Sequence, residues 1–286
     1  MRSFLNGFKT TVLMAGLMGL CLGIGYVLGH GKPQFMLMAL MVGGVMNFIA
    51  YFFSDKIALM TMQAKEIKRA DDVKLWDTVE RLCHRAELPM PRVYVSPAAA
   101  PNAFATGRNP HHSAVCVTEG LRRILNDNEL SGVIAHELSH IKNRDILIST
   151  VAATIAGAIS YLGHMAFFFG GGSRDDRNSG SNPLVALMLM IIAPIAAMLI
   201  QMAISRSREY AADAAGAEIA GSPDGLAKAL EKLSNASKQI PLPVSNSQAN
   251  MFIVAPLTGE EMASLFTTHP PIKKRIARLM EMKRPM

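Results

Sequence analysis

Apolar residues are distributed along this chain in two ways. In four stretches, residues 10–29, 34–54, 146–173 and 184–205, they run on without one Asp, Glu, Lys or Arg. About 20 apolar residues are what the roughly 30 Å hydrocarbon core of a bilayer asks of a helix, so these stretches predict membrane spans over about 10–29, 34–54, 146–169 and 184–204. The first two are linked only by His30-Gly31-Lys32-Pro33, which predicts a tight antiparallel hairpin with both ends on one side. Pro194 predicts a kink in the fourth. Elsewhere the pattern is periodic. Leu75, Val79, Leu82 and Ala86 recur at helical spacing and predict a helix over about Asp71 to Glu87, stopped by Pro89 and Pro91. Strand-like pieces come next at Arg92–Val95, Asn102–Gly107 and Ala114–Thr118, punctuated by Pro and Gly. A helix opens at Asn126, and another near Ser222-Pro223-Asp224 turns Leu226, Ala229, Leu230 and Leu233 inward. Residues 241–258 read as an exposed loop. A last helix carries Ile272, Ile276, Leu279 and Met280 on one side.

The expected fold class is therefore α+β and predominantly helical, an integral membrane protein with a small β-sheet in its water-exposed part. The expected organisation is an N-terminal transmembrane hairpin over 1–54, a first catalytic part over 55–145, a second hydrophobic hairpin over 146–205 and a second catalytic part over 206–286. Composition sharpens this. Half of the 286 residues are hydrophobic and 18% are charged, with a mean hydropathy of +0.23. The net charge of +7 fits loop orientation and anionic lipid, and no aromatic-interleaved basic patch points to nucleic acid. Arg2 and Lys9 precede the first stretch, Lys56, Lys65, Lys68 and Arg69 come after the second, and Lys32 alone sits in the turn. That bias puts the N-terminus and everything after Ser54 in the cytoplasm. Cys21, Cys83 and Cys116 are scattered and odd in number, which speaks against disulfides; Cys83 reads as core. His111-His112 read as exposed turn residues, and His164 as a histidine near the membrane interface.

The chemistry is concentrated in His136-Glu137-Leu138-Ser139-His140. Asn126 with Glu129 three residues on is a capping-box start, and Leu130, Val133, Ile134 and Leu138 keep helical period. Positions four apart on a helix lie about 40° from each other, so both imidazoles face one way. Two imidazoles on one face are two legs of a tetrahedral zinc site, with Glu137 beside them to take a proton from water at the metal. An ordinary amphipathic helix with two incidental histidines is the bland alternative.

If the third and fourth stretches pair antiparallel, Asp145 and Arg206 meet at one membrane face, and the segment after Arg206 lies beside the two histidines. That segment contains Glu209 and Asp213, four apart on one helix face. One carboxylate there can complete a His-His-Glu set while the other accepts from a ligand imidazole. Asp145 and Arg206 are expected to pair and lock that arrangement.

With H-E-L-S-H-I-K-N-R-D, four apolar stretches, S-R-S-R-E-Y-A-A-D and T-H-P-P-x-x-x-R-I in this order, the chain resembles the HtpX family of bacterial inner-membrane zinc metallopeptidases, related to the CAAX prenyl protease. The resemblance implies a zincin-like cytoplasmic catalytic domain in which His136, His140 and Glu209 ligate one Zn2+, Glu137 is the general base and Asp213 supports a ligand histidine. It further implies that His269 and Arg275 stabilise the oxyanion, and that an extended peptide lies against the strand containing Asn102, Ala103, Phe104 and Ala105. The implied function is endoproteolysis of misfolded or damaged membrane proteins under stress. Expected partners are unfolded or membrane polypeptides and the lipid bilayer, with a membrane-protease complex or a homo-oligomer as assemblies. The rival readings are a processing protease for one substrate class and a non-catalytic zinc-binding membrane scaffold.

Overall fold

The structure is a computed structural model that describes residues 2–28, 31–148, 151, 206–239 and 270–283. Two long helices come first, α1 (Arg2–Leu28) and α2 (Pro33–Thr61), packed as a hairpin. Lys32 and Pro33 set the entry to α2, since proline tolerates the first helical turn where no amide donor is needed. Leu13, Leu17 and Ala50 are buried between the two helices, and the Asn47 amide donates to the Met14 carbonyl. Gly43 lets them approach; a Cβ there would meet Met18 Sδ at 2.8 Å. Outward, α2 exposes Leu37, Met41, Val45, Phe48 and Phe52. Among the described residues it is the one helix long and apolar enough to cross a membrane, with a mean hydropathy of 1.9 over its apolar window. The two later apolar stretches, with His164 and Pro194, lie outside the described residues, apart from 146–148 and 151.

The second apolar stretch was expected to end at Ser54, but α2 continues to Thr61. Asp55 and Lys56 interrupt the apolar run without ending the helix. Beyond them Ala58 and Leu59 pack on the sheet with Tyr94, Phe104, Ala114 and Cys116, and that burial carries the helix on. The sheet has β1 (Lys65–Ile67), β2 (Arg92–Ser96), β3 (Ala103–Asn109) and β4 (His112–Thr118) in the order β1-β2-β4-β3. β3 and β4 form an antiparallel hairpin, β2 runs parallel to β4, and β1 pairs antiparallel with β2. β3 is therefore an edge strand among the described residues. Three expected strands are present, each slightly longer than its pattern; β1 and the short helix α4 (Glu119–Ile124) had no readable period.

The other face of the sheet is covered by helices. α3 (Val73–Ala86) starts with the Asp72 side chain accepting from the Leu75 amide and ends at Glu87 in the left-handed conformation (φ 56°), before the prolines are reached. α5 (Asp127–Lys142) has the expected capping box, Asn126 accepting from the Glu129 amide and Glu129 from the Asn126 amide. Two reciprocal backbone bonds of this kind stabilise a helix start by about 1 kcal/mol. α6 (Arg206–Ala220), α7 (Asp224–Gln239) and α8 (Ile272–Glu281) complete the described helices. One core of Leu82, Val115, Ile134, Leu138, Leu230 and Leu279 joins sheet and helices. α5 sits at its centre: Gly216 of α6 and Gly132 of α5 permit close crossings, with an added Cβ 2.9 Å from His136 Cα in the first case and 2.4 Å from the Leu226 amide nitrogen in the second. On α8 the buried positions are Arg275 and Leu279, whereas Met280, expected inward, is 42% exposed.

Candidate active site

α5 is buried along most of its length, and its last turns carry His136 (1% exposed), Glu137 (5%) and the half-buried His140. The helical repeat brings the two imidazoles together, with their Nε2 atoms 3.2 Å apart. α6 crosses behind them and delivers Glu209, whose carboxylate oxygens lie 3.8 Å from each Nε2. One donor atom from each of His136, His140 and Glu209 falls within 4.8 Å of the others. A tetrahedral zinc with bonds of about 2.0–2.1 Å has an edge of about 3.3 Å between ligand atoms, so the imidazole pair already stands at the separation a metal requires.

Each histidine is oriented from behind by its own carboxylate. His140 Nδ1 lies 3.1 Å from Asp145 Oδ1, and His136 Nδ1 lies 3.1 Å from Asp213 Oδ1. A carboxylate beside each Nδ1 favours the tautomer that leaves Nε2 for a metal, and the two Nε2 atoms face one another. Two imidazole nitrogens and one carboxylate converging in this way are a donor set that fits a cation. Burial works against a charged His140, but Asp145, Glu209 and Glu137 outweigh it and push the imidazole up to about 10. Burial pushes the Glu137 carboxyl up, only partly opposed by His136 and His140. The Ala105 amide of β3 donates to Glu137 Oε2 at 2.8 Å, tying the helix to the edge strand.

Arg275 is fully buried and faces Asp213 with two charge-assisted bonds, Nε to Oδ2 at 2.8 Å and Nη2 to Oδ1 at 2.6 Å. Its Nη2 also lies 3.4 Å from His136 Nε2, and its Nη1 3.8 Å from Glu209. Against burial, Arg275 and His136 hold the Asp213 carboxyl down to about 2. Arg275 thus stands at the back of the metal site. His269 lies outside the described residues, as does the side chain of Arg206, so the expected Asp145–Arg206 pair falls there too. The arginine whose charge is felt at Asp145 and Glu209 is Arg208, whose Nη1 and Nη2 are buried and have no hydrogen-bond partner among the described residues. It stands in the same S-R-S-R-E-Y segment, and its place next to Glu209 was the available signal. Asn102, just before β3, and Ala103 and Phe104 at its start are buried, and Ala105 is half-buried beside Glu137. Cys83 and Cys116 are core thiols pushed up to about 12 by burial, which removes them as nucleophiles. His111 and His112 are exposed in the β3–β4 turn.

Comparison with known proteins agrees with this geometry. The sequence model described as peptidase family M48 matches residues 68–283. A protein described as a protease HtpX homolog from Desulforapulum autotrophicum is 54% identical over 277 residues, covering 96% of this chain and 89% of that protein. One of the same description from Salinibacter ruber is 52% identical over 280 residues, covering 97% and 98%. Among solved structures, the crystal structure of S. mikatae Ste24p matches with a TM-score of 0.53 at 17% identity, over 97% of this chain and 66% of that one. That likeness is one of fold.

Proposed function

We propose, from the premise that this chain belongs to peptidase family M48 and is a metalloprotease, that it is a zinc-dependent endopeptidase acting on unfolded or damaged membrane proteins. In this reading residues 1–54 and 146–205 form two membrane hairpins and 55–145 with 206–286 form one catalytic unit, cytoplasmic in a bacterial inner membrane. The observation that carries the reading is the convergence of His136, His140 and Glu209 with Glu137 beside them.

His136, His140 and Glu209 would hold the ion, and Asp213 and Asp145, each 3.1 Å from an Nδ1, would favour the tautomers that present Nε2 to it. A zinc ion bound there supplies a Lewis acid that polarises the scissile carbonyl and acidifies water. Glu137 takes the proton of the attacking water and passes it to the leaving amine; its raised proton affinity, set by burial, suits both steps. Arg275 acts through Asp213 and Glu209, and His269 is the further candidate for the oxyanion. The substrate backbone pairs with the outer edge of β3. Because the Ala105 amide points away from β4 to Glu137, the amides and carbonyls of Ala103, Ala105 and Gly107 share that outer edge by strand alternation. Main-chain pairing gives loose sequence preference, as quality control requires.

The experiment is casein digestion by detergent-purified protein with its metal content assayed, beside Glu137→Gln. Cleavage by the wild type, inhibition by a chelator and a zinc-loaded variant slowed about 10²–10⁴-fold are expected. Two zinc-loaded proteins that both fail to cleave would move the scaffold reading ahead.

A further inference from the structure

The edge strand and the long apolar helix are arranged so that one leads to the other. Phe104, early in β3, packs in one cluster with Ala58 and Leu59 of α2. Four residues on, the Arg108 guanidinium lies over the Phe52 ring, 5.5 Å from its centroid. β3 therefore runs back along α2 towards its apolar part, covering about 13 Å while the helix covers about 9 Å. Phe52 stands at the end of that part. Phe48, Tyr51, Phe52 and Phe53 form an exposed aromatic group, Lys56 Nζ lies over the Phe53 ring, and Arg92 pairs with Asp55. Aromatic rings succeeded at once by charge mark the boundary between hydrocarbon and water on a membrane helix. Arg108 is at that boundary, next to the β3–β4 turn, where the chain reverses and His112 pairs with Asn109.

The metal site is tied to the same level independently. Asp145, which orients His140, is succeeded by Ile148 and Val151, which pack with Leu13, Leu17 and Ala50 of the membrane hairpin. Ala50 is two residues from Phe52. The site hangs just above the boundary by two connections, one through β3 and one through the end of α5.

We infer that this site takes polypeptide as it leaves the bilayer and cuts it close to the membrane. Ala105, whose amide touches Glu137, is three residues from Arg108, about 10 Å of strand, which places the cut about three to six residues from the apolar boundary of the substrate. The substrate class is membrane-anchored protein with an extended segment next to its span, and the inference rests on the endopeptidase reading of the same site. Anchoring in the same bilayer raises the effective concentration of such a segment to the millimolar range, so main-chain pairing suffices without side-chain recognition.

The test uses the full-length zinc-loaded protein in liposomes with a single-span reporter. The reporter's water-exposed tail repeats one short cleavable sequence, so that sequence preference is equal at every distance. Cut positions are mapped by mass spectrometry, with casein digestion run alongside. Expected is a cut frequency that peaks within about six residues of the reporter span and falls about tenfold by about fifteen residues. An even distribution of cuts, a peak beyond about twelve residues, or an intact reporter with casein still digested would overturn the inference and leave the endopeptidase reading standing. Intact casein as well would overturn both.

Discussion

The two ends of α5 face opposite tasks and are built differently. At its N-terminus every charge is answered. Glu129 closes the capping box and accepts from Lys232 Nζ at 2.8 Å, and these bonds hold its carboxyl below the usual range although burial opposes them. A polar cavity of about 480 Å3, lined by Arg81, Arg85, Asn128 and Lys228 among others, stands open beside it. At the C-terminus like groups are pressed together. Glu137 and Glu209 share a buried space, and against burial Asp145, Glu209 and Glu137 drive His140 up to about 10. Both carboxylates, Glu129 and Glu137, are shielded from contact with water, but Glu137 lies deeper and burial dominates there. The ends also differ in whether the protein supplies the counter-charge itself. It does so for Glu129 at the stabilising end; at the chemical end Arg275 answers Asp213, while His136, His140 and Glu209 are left converging on a place for a cation.

This contrast breaks most visibly at the ligands. His140→Ala or Glu209→Ala is expected to lose the metal and all casein digestion; a variant that retains both would mean that the metal lies elsewhere. Next comes Arg275→Met. It leaves Asp213 buried without its partner, so a loss of about 3–5 kcal/mol in thermal or denaturant unfolding is expected, and about 10–100-fold weaker zinc retention in a chelator competition. Gly216→Ala forces a Cβ to 2.9 Å of His136 Cα and nitrogen. The two helices must part, at about 1–3 kcal/mol, with lower activity at unchanged ligand chemistry. Smallest is Lys232→Met at the other end, at most about 1 kcal/mol because the lysine is 45% exposed. Since the pair lowers the folded carboxyl, its contribution is present above the unfolded value near 4.3 and is lost as pH falls through the folded value. The stability gap between wild type and variant should therefore close on acidification. Activity should not change, and a variant that loses zinc would join the two ends that the structure separates.

Much of the site was legible because its signals are local or depend on chain order. The capping box, the spacing of His136 and His140 and the pairing of Glu209 with Asp213 all rest on helical repeat. The return of α6 to the histidines was expected from an antiparallel pairing of the two apolar stretches between them, which lie mostly outside the described residues; α6 does stand beside the histidines. The contacts that escaped are non-local. Asp213 was expected to support a ligand histidine, and the fold shows which one, His136; that Asp145 serves His140 also shows only in the fold. Arg275 was expected to stabilise the oxyanion; its burial and its double pairing with Asp213 were not foreseen, and a doubly paired guanidinium can occupy a core position. β1 is three residues long, too short for any period, and the parallel pairing of β2 with β4 is a matter of topology. The prolongation of α2 was hidden by Asp55 and Lys56, charges that look like the end of a span.

That prolongation has a mechanical consequence. α2 runs unbroken from Pro33 to Thr61, and β1 begins after only three residues, so no hinge separates the apolar part from the sheet. Where α2 crosses a bilayer it is a stiff lever whose far arm is the catalytic unit. A thinner membrane is met by tilting such a helix, and the tilt swings Glu137 and the edge strand with it. The thickness of the surrounding lipid thereby becomes a setting of the angle at which the enzyme meets the surface.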